Sequence, residues 1–285
     1  MAILYLLPAL GWGLMPIIAN LTKAKPINQL LGTSTTALLL GIIFTVIVQP
    51  TYDWLSFAAA FLSGCFWSVG QYLQFNSFQL LPVSEAMPIS NGTQLIGTTF
   101  IAAIFFKEWT NLTMIMIGMT GILLIILGIR LTSYIEEQGK KQSNTIKRKA
   151  ITLLLLSSAA LTIYVTLPQA LLVSGAVVLF PQSIGMWFSS LCLTIIKREE
   201  FAWSEVVKNL GTGVAWSIAN LSLFFAMPII GVAKSFTFSQ MAVLISIYAG
   251  IFILKVRKTK KELCMISAGA AAVSYTHLRA HETDQ

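Results

Sequence analysis

Gly64-Cys65-Phe66-Trp67-Ser68-Val69-Gly70-Gln71 is echoed further along the chain as Gly213-Val214-Ala215-Trp216-Ser217-Ile218-Ala219-Asn220. The same offset of 149 residues carries Phe75 onto Phe224, Val83 onto Val232 and Ser90 onto Ser239 without a gap. That makes six identities, with Val69/Ile218 and Gln71/Asn220 as close matches. An offset near half the chain predicts two homologous halves. In a membrane protein, duplicated halves point to a transporter whose site lies between them.

The membrane assignment follows from composition. Hydrophobic residues make up 56% of the 285, charged residues 11%, and the mean hydropathy is +0.77. A soluble domain of this size needs a larger charged shell. A spanning helix needs roughly 20 mostly apolar residues to cross ~30 Å of hydrocarbon. Nine segments qualify: 2–21, 30–48, 55–76, 84–106, 112–131, 150–171, 176–196, 207–227 and 232–254. A tenth begins at Leu263 and loses its apolar character after Val273. The final stretch, 274–285 (SYTHLRAHETDQ), carries both histidines and resembles translated adapter read-through, so it is expected to be a non-native tail replacing the end of a tenth helix. Cys65, Cys192 and Cys264 fall far apart in apolar spans and read as small buried residues, neither a disulfide framework nor a metal set.

The one long polar connection, 132–149, divides the chain into a first half (1–131) and a second half (150–273). Five spans before the linker turn the second half upside down in the bilayer, the inverted-repeat arrangement of many secondary transporters. Basic residues follow the odd-numbered spans: Lys23 and Lys25, then Arg130, Lys140, Lys141 and 147–149, then Lys197, Arg198 and Lys208, then Lys255, Arg257, Lys258, Lys260 and Lys261. Sixteen of the nineteen Lys and Arg residues are placed this way. The positive-inside rule puts these loops in the cytoplasm and the N-terminus outside. Charges scattered through short loops beside membrane segments argue against a nucleic-acid partner. Pro8, Pro16, Pro88, Pro168 and Pro181 fall inside spans, where each frees a carbonyl and can shape a cavity.

Lipid penalises polar side chains, so those inside spans are informative. Nearly all here are neutral amides and hydroxyls, suited to the hydroxyls of an uncharged polyol. Gln71 and Asn220 stand out because the repeat relates them. Gln94 and Gln240 extend the set, and Trp12 and Trp216 offer faces for the apolar side of a sugar ring. Each amide could instead serve an interhelical hydrogen bond, and each tryptophan could be an interfacial anchor. Glu85 is the acidic residue nearest a span interior; it either snorkels to its interface or carries a proton. The offset takes it to Lys234, which inversion places at the opposite face, so the two do not pair. No Cys/His set, phosphate loop or Ser/His/Asp arrangement is present, so neither a metal, a cofactor nor an enzyme activity is expected.

Longer motifs carry a resemblance. Leu7-Pro8-Ala9-Leu10-Gly11-Trp12-Gly13 resembles the opening of the glucose uptake (glucose/ribose porter) family of the drug/metabolite transporter superfamily. So do Ala86-Met87-Pro88-Ile89-Ser90-Asn91-Gly92-Thr93-Gln94-Leu95, the Phe106-Lys107-Glu108-Trp109 that closes its span, Pro181-Gln182 with Gly185-Met186, and Gly231-Val232-Ala233 leading to Phe238-Ser239-Gln240. This resemblance implies an all-α membrane protein of ten helices in two inverted five-helix halves, in a bacterial cell membrane. It also implies uptake of glucose or a related neutral sugar, with protons as a possible coupling ion and Glu85 as their candidate carrier. Lys234 departs from the family pattern, where a small polar residue is expected. The rival reading keeps the fold and makes the protein an exporter of amino acids or other small metabolites, with Lys234 facing an anionic group. A scaffold or accessory subunit ranks last, because it needs no duplicated polar lining.

Overall fold

Helices account for every regular element in the computed structural model, which describes residues 2–105, 111–132, 143–173, 175–230, 239, 241–269 and 271. In chain order they are α1 (Ala2–Leu21), α2 (Pro26–Val48), α3 (Trp54–Phe78), α4 (Val83–Phe105), α5 (Leu112–Thr132), α6 (Asn144–Ala170), α7 (Gly175–Lys197), α8 (Trp203–Lys208), α9 (Leu210–Ile230) and α10 (Ala242–Phe252). Residues 260–269 form a further helix, α11. The short α8 has no counterpart among the expected spans. Gln240, Lys234 and the tail 274–285 lie outside the described residues.

Local chemistry sets the helix ends. Pro26 occupies the first turn of α2, where its missing N–H costs nothing. Asp53 caps α3, its Oδ1 accepting from the Ser56 N–H at 2.9 Å. α11 opens with a capping box: the Thr259 N–H donates to Glu262 Oε2 (2.9 Å), and the Glu262 N–H donates to Thr259 Oγ1 (3.1 Å).

By length and composition α2, α5, α6 and α7 are apolar enough to cross a bilayer. α3 and α9, of 25 and 21 residues, also have spanning length, about 37 and 31 Å at 1.5 Å per residue. Buried polar groups, Gln71 and Gln74 in α3 and Asn220 in α9, turn inward. Large apolar side chains remain exposed on the outer faces of the bundle, among them Ile47, Phe105, Leu123 and Ile195. The same surface in water would be an aggregation liability; in a membrane it is the lipid contact.

Small residues decide how the helices meet. α3 packs on α6 and α7, α1 on α9 and α10, and α2 on α7 and α9, while α4 lies against α6, α10 and α5. At the α3–α7 crossing Gly64 and Gly185 let the backbones touch. A Cβ on Gly64 would sit 1.9 Å from the Gln182 carbonyl oxygen, and one on Gly185 1.9 Å from that of Phe61. α3 runs against α6 (Ser63 opposite Tyr164, Gly70 opposite Ser157) and along α7 (Gly64 beside Gln182, Ser68 beside Met186). Hydroxyls reinforce each seam. Ser63 Oγ donates to the Tyr164 carbonyl (2.7 Å), the very group that Pro168, four residues on, leaves without its helical N–H. Ser157 Oγ donates to the Gly70 carbonyl (2.7 Å) and Ser246 Oγ to that of Gly13 (2.9 Å).

Candidate functional site: a polar cavity within the helical bundle

A cavity of about 450 Å³ opens within the helical bundle, in the ~300–1,000 Å³ range usual for small-molecule sites. α1 contributes Trp12, Met15 and Pro16; α3 contributes Trp67, Gln71 and Gln74; α4 contributes Met87, Asn91, Gln94, Leu95 and Thr98. Later in the chain, α6 contributes Tyr164 and Pro168, α7 Gln182, and α9 Trp216, Asn220 and Leu223, joined by Ser239 and Ala242. No charged side chain lines it among the described residues.

Five of the six residues singled out for sugar contact, Trp12, Gln71, Gln94, Trp216 and Asn220, border this one space. The sixth, Gln240, is not described. Trp67 and Trp216, which the 149-residue offset relates, meet edge to face at the cavity with centroids 5.5 Å apart and planes at 64°. Both are almost fully buried, at 2% and 1% exposure. Sequence reasoning ranked Gln74, Asn91 and Gln182 no higher than other span amides, and it passed over Tyr164. None of the six residues singled out lies on α7. Glycine is the signal that could have included it: Gly185 in α7 opposite Gly64 in α3 brings Gln182 to the wall.

The amides are held by neighbours. Gln71 Nε2 donates to Gln74 Oε1 (2.8 Å), and Gln74 Nε2 donates to Ser90 Oγ (2.8 Å), joining α3 to α4. Asn220 Nδ2 donates to the Trp216 carbonyl (2.9 Å). Gln182 Nε2 donates to Ser63 Oγ (2.8 Å).

The cavity reaches the α6–α7 connection, where Gln169, Val173 and Gly175 border it. The other end, where the basic loops gather, is closed. Phe75, Phe78, Leu81, Val83 and Met87 fill it as one buried cluster with Trp67 and Trp216. Beyond this plug a second, smaller cavity lies among Asn20, Phe78, Pro82, Val83 and Leu254. Polar contacts tie the same end together. Thr22 Oγ1 donates to Asn209 Oδ1 (3.1 Å), and the Tyr72 hydroxyl donates to Glu199. Glu205 accepts from the Asn28 side chain (2.8 Å) and the Lys25 N–H (2.9 Å), which hold its carboxyl below the ordinary value of 4.5. That stabilisation is complete above the unfolded value and is lost as pH falls through the lowered one.

Glu85 is not part of the lining. Its Oε1 meets Lys258 Nζ at 2.6 Å, with side-chain exposures of 10% and 5%. The sequence reading gave Glu85 no partner. The loop after α10 folds back over the start of α4 and supplies a cation 173 residues away.

A family model described as sugar transport protein matches residues 3–277. The chain belongs to the sugar transport protein family. A glucose uptake protein of Bacillus subtilis is 39% identical over 94% of this chain and 93% of its own. The glucose uptake protein of Staphylococcus xylosus is 38% identical over 94% and 93%. A Listeria monocytogenes protein, provisionally named as a sugar uptake protein, is 42% identical over 93% and 92%. One crystal structure superposes with a TM-score of 0.64 over 97% of both chains at 15% identity, which shows the shared fold alone. Family and apolar helices together make this a multi-pass protein of the bacterial plasma membrane, in a family of sugar transporters.

Proposed function

We propose that this chain is a permease that takes up glucose or a related neutral sugar by alternating access, with the amide- and tryptophan-lined cavity as its binding site. The observation that carries this reading is the lining itself: amide groups for hydroxyls, aromatic faces for C–H surfaces, and no charge among the described residues. A charged cargo finds no counter-ion there, and desolvating it unpaired is costly.

Two inverted halves are supported by contacts that the 149-residue offset exchanges. Gly64 approaches Gln182, and Gly213 approaches Thr33, whose offset partner is Gln182. Gly185 faces the region of Gly64 on α3, and its offset partner Thr36 faces Gly213. Ser246 bonds Gly13, and the offset images of that pair, Gly97 and Thr162, also touch. The Trp67–Trp216 contact is its own image, as expected of a pair on a pseudo-two-fold axis. α6, opposed to α3, also runs against α1, the direction an inverted half requires.

With the basic end in the cytoplasm, the cavity faces outward and the plug closes the inner side. Inward release then means moving the start of α4 away from α3 and the loop after α10, which breaks the Glu85–Lys258 pair. Glu85 keeps its candidacy as proton carrier on different grounds. A proton there would neutralise half of that pair, acting on the closure rather than on the sugar.

The test is labelled-sugar uptake in a strain lacking other glucose systems, over a panel of sugars and with or without a proton uncoupler. Gln71→Ala and Asn220→Ala are expected to cut uptake about tenfold or more, each removing at least one hydrogen bond from a buried site, with the protein still in the membrane at normal amount. Wild-type uptake no better than a vector control rejects the permease reading.

A further inference from the structure

Four of the amides that line the cavity point the same chemical way. Asn220 Nδ2 is committed to the Trp216 carbonyl and Gln94 Nε2 leans toward that of Leu161 (3.5 Å). A backbone carbonyl can only accept, so in both side chains the nitrogen must be the end turned to the protein. Gln182 is constrained one step further out. Ser63 Oγ spends its hydrogen on the Tyr164 carbonyl, so it can only accept from Gln182 Nε2. Gln71 follows the same pattern, its nitrogen bonded to Gln74. The oxygens of Gln71, Gln94, Gln182 and Asn220 have no partner among the described residues. All four residues border the cavity.

We infer that this site recognises its ligand chiefly by accepting hydrogen bonds, so that the substrate class is set by the O–H donors it presents rather than by its oxygen acceptors. This rests on the neutral-sugar reading above and narrows it. Each amide keeps two oxygen lone pairs but only one unspent N–H. Among the described residues, no aspartate or glutamate lines the cavity to take the donors instead, and no lysine or arginine lines it to reward an acceptor. An ordinary hydroxyl can play either part. A ring ether, a methoxy group or a fluorine can only accept, and it would leave a buried amide oxygen unsatisfied. The site therefore favours free polyhydroxy sugars and discriminates against O-alkylated and phosphorylated ones. The tryptophan rings supply apolar faces, and their indole N–H groups can only donate, so the ligand's own O–H donors are read by the four amide oxygens.

The experiment is competition against uptake of the best-transported sugar, in wild-type protein, with a matched series of analogues. At each ring position the hydroxyl is replaced in one compound by hydrogen and in another by fluorine. At two or more positions both replacements are expected to weaken inhibition by about tenfold, fluorine as much as hydrogen, because neither donates. If fluorine keeps the parent's potency wherever hydrogen loses it, the protein is the donor and the inference is overturned. A second arm assigns the residues. Gln71→Met removes the acceptor at similar bulk, and is expected to abolish discrimination at one ring position while leaving the others. Discrimination unchanged at every position in Gln71→Met, Gln182→Met and Asn220→Leu would also overturn it. Absence of uptake for every sugar instead removes the permease reading beneath it, a result distinguishable from either of these.

Discussion

Alanine at Gly64 is expected to destabilise the protein by about 3 kcal/mol or more, the upper range for overpacking, while alanine at Gly121 is expected to be neutral or stabilising by up to about 1 kcal/mol. The two substitutions are chemically identical and both lie in helices. At Gly64 the new methyl would sit 1.9 Å from the Gln182 carbonyl oxygen and 2.8 Å from the Met186 nitrogen. Those are backbone atoms, which no rotamer change can move aside. Relief requires α3 and α7 to part, and parting strips Ser68 Oγ from the Met186 carbonyl (2.7 Å) and Gln182 from Ser63. A Cβ on Gly121 meets nothing within 4 Å, so only the helix-propensity gain over glycine remains. Gly213→Ala, whose contact with the Thr33 carbonyl would be 2.5 Å, is expected to fall between them. Thermal melting of the detergent-purified proteins gives the order. Equal melting for Gly64→Ala and Gly121→Ala would mean that α3 and α7 are not in backbone contact.

Lys258→Ala is expected to bias the protein out of the closed-end conformation by about 3 to 5 kcal/mol, the usual loss when one member of a buried ion pair is removed. The pair is 2.6 Å apart and nearly enclosed, so Glu85 would be left charged and dry beside the hydrophobic plug. It regains water only if the start of α4 moves. Uptake is expected to fall at least tenfold, since a transporter held on one side cannot reset. A cysteine introduced at Phe78, in the closed end, is expected to become more reactive to a polar thiol reagent added from the cytoplasmic face. The double variant Glu85→Gln/Lys258→Met removes both charges and is expected to recover most of the closure, as cycles on buried pairs allow. Uptake and labelling unchanged in Lys258→Ala would show that the pair has no part in the transport cycle.

Much of the cavity was legible before any tertiary contact was known, because lipid makes polar residues conspicuous. Gln71, Gln94 and Asn220 sit in apolar segments that have no reason to hold amides unless something polar is near. The repeat raised Gln71 and Asn220 above their neighbours, and both border the cavity. Gln182 and Tyr164 were harder to see. Gln182 has no amide equivalent in the repeat, since Thr33 takes its place against Gly213. Tyr164 is one aromatic among many in a chain where aromatics are 11% of residues. The partner of Glu85 could not be read at all. Lys258 belongs to a cluster of loop lysines and arginines that the positive-inside rule explains equally well without it.

The amino-acid order alone determined where the chain turns helical, which segments avoid water, and that one stretch recurs at an offset near half the chain length. These follow from local hydropathy, proline and glycine placement, and identity at a constant spacing, none of which needs a neighbour. Tertiary packing decided the rest: which amide ends meet protein and which meet empty space, how near α7 comes to α3, and which cation covers Glu85. Those outcomes depend on backbones touching at Gly64 and Gly185 and on a loop returning across 173 positions. A sequence records that a side chain is polar or small, whereas only the assembled bundle establishes what stands opposite.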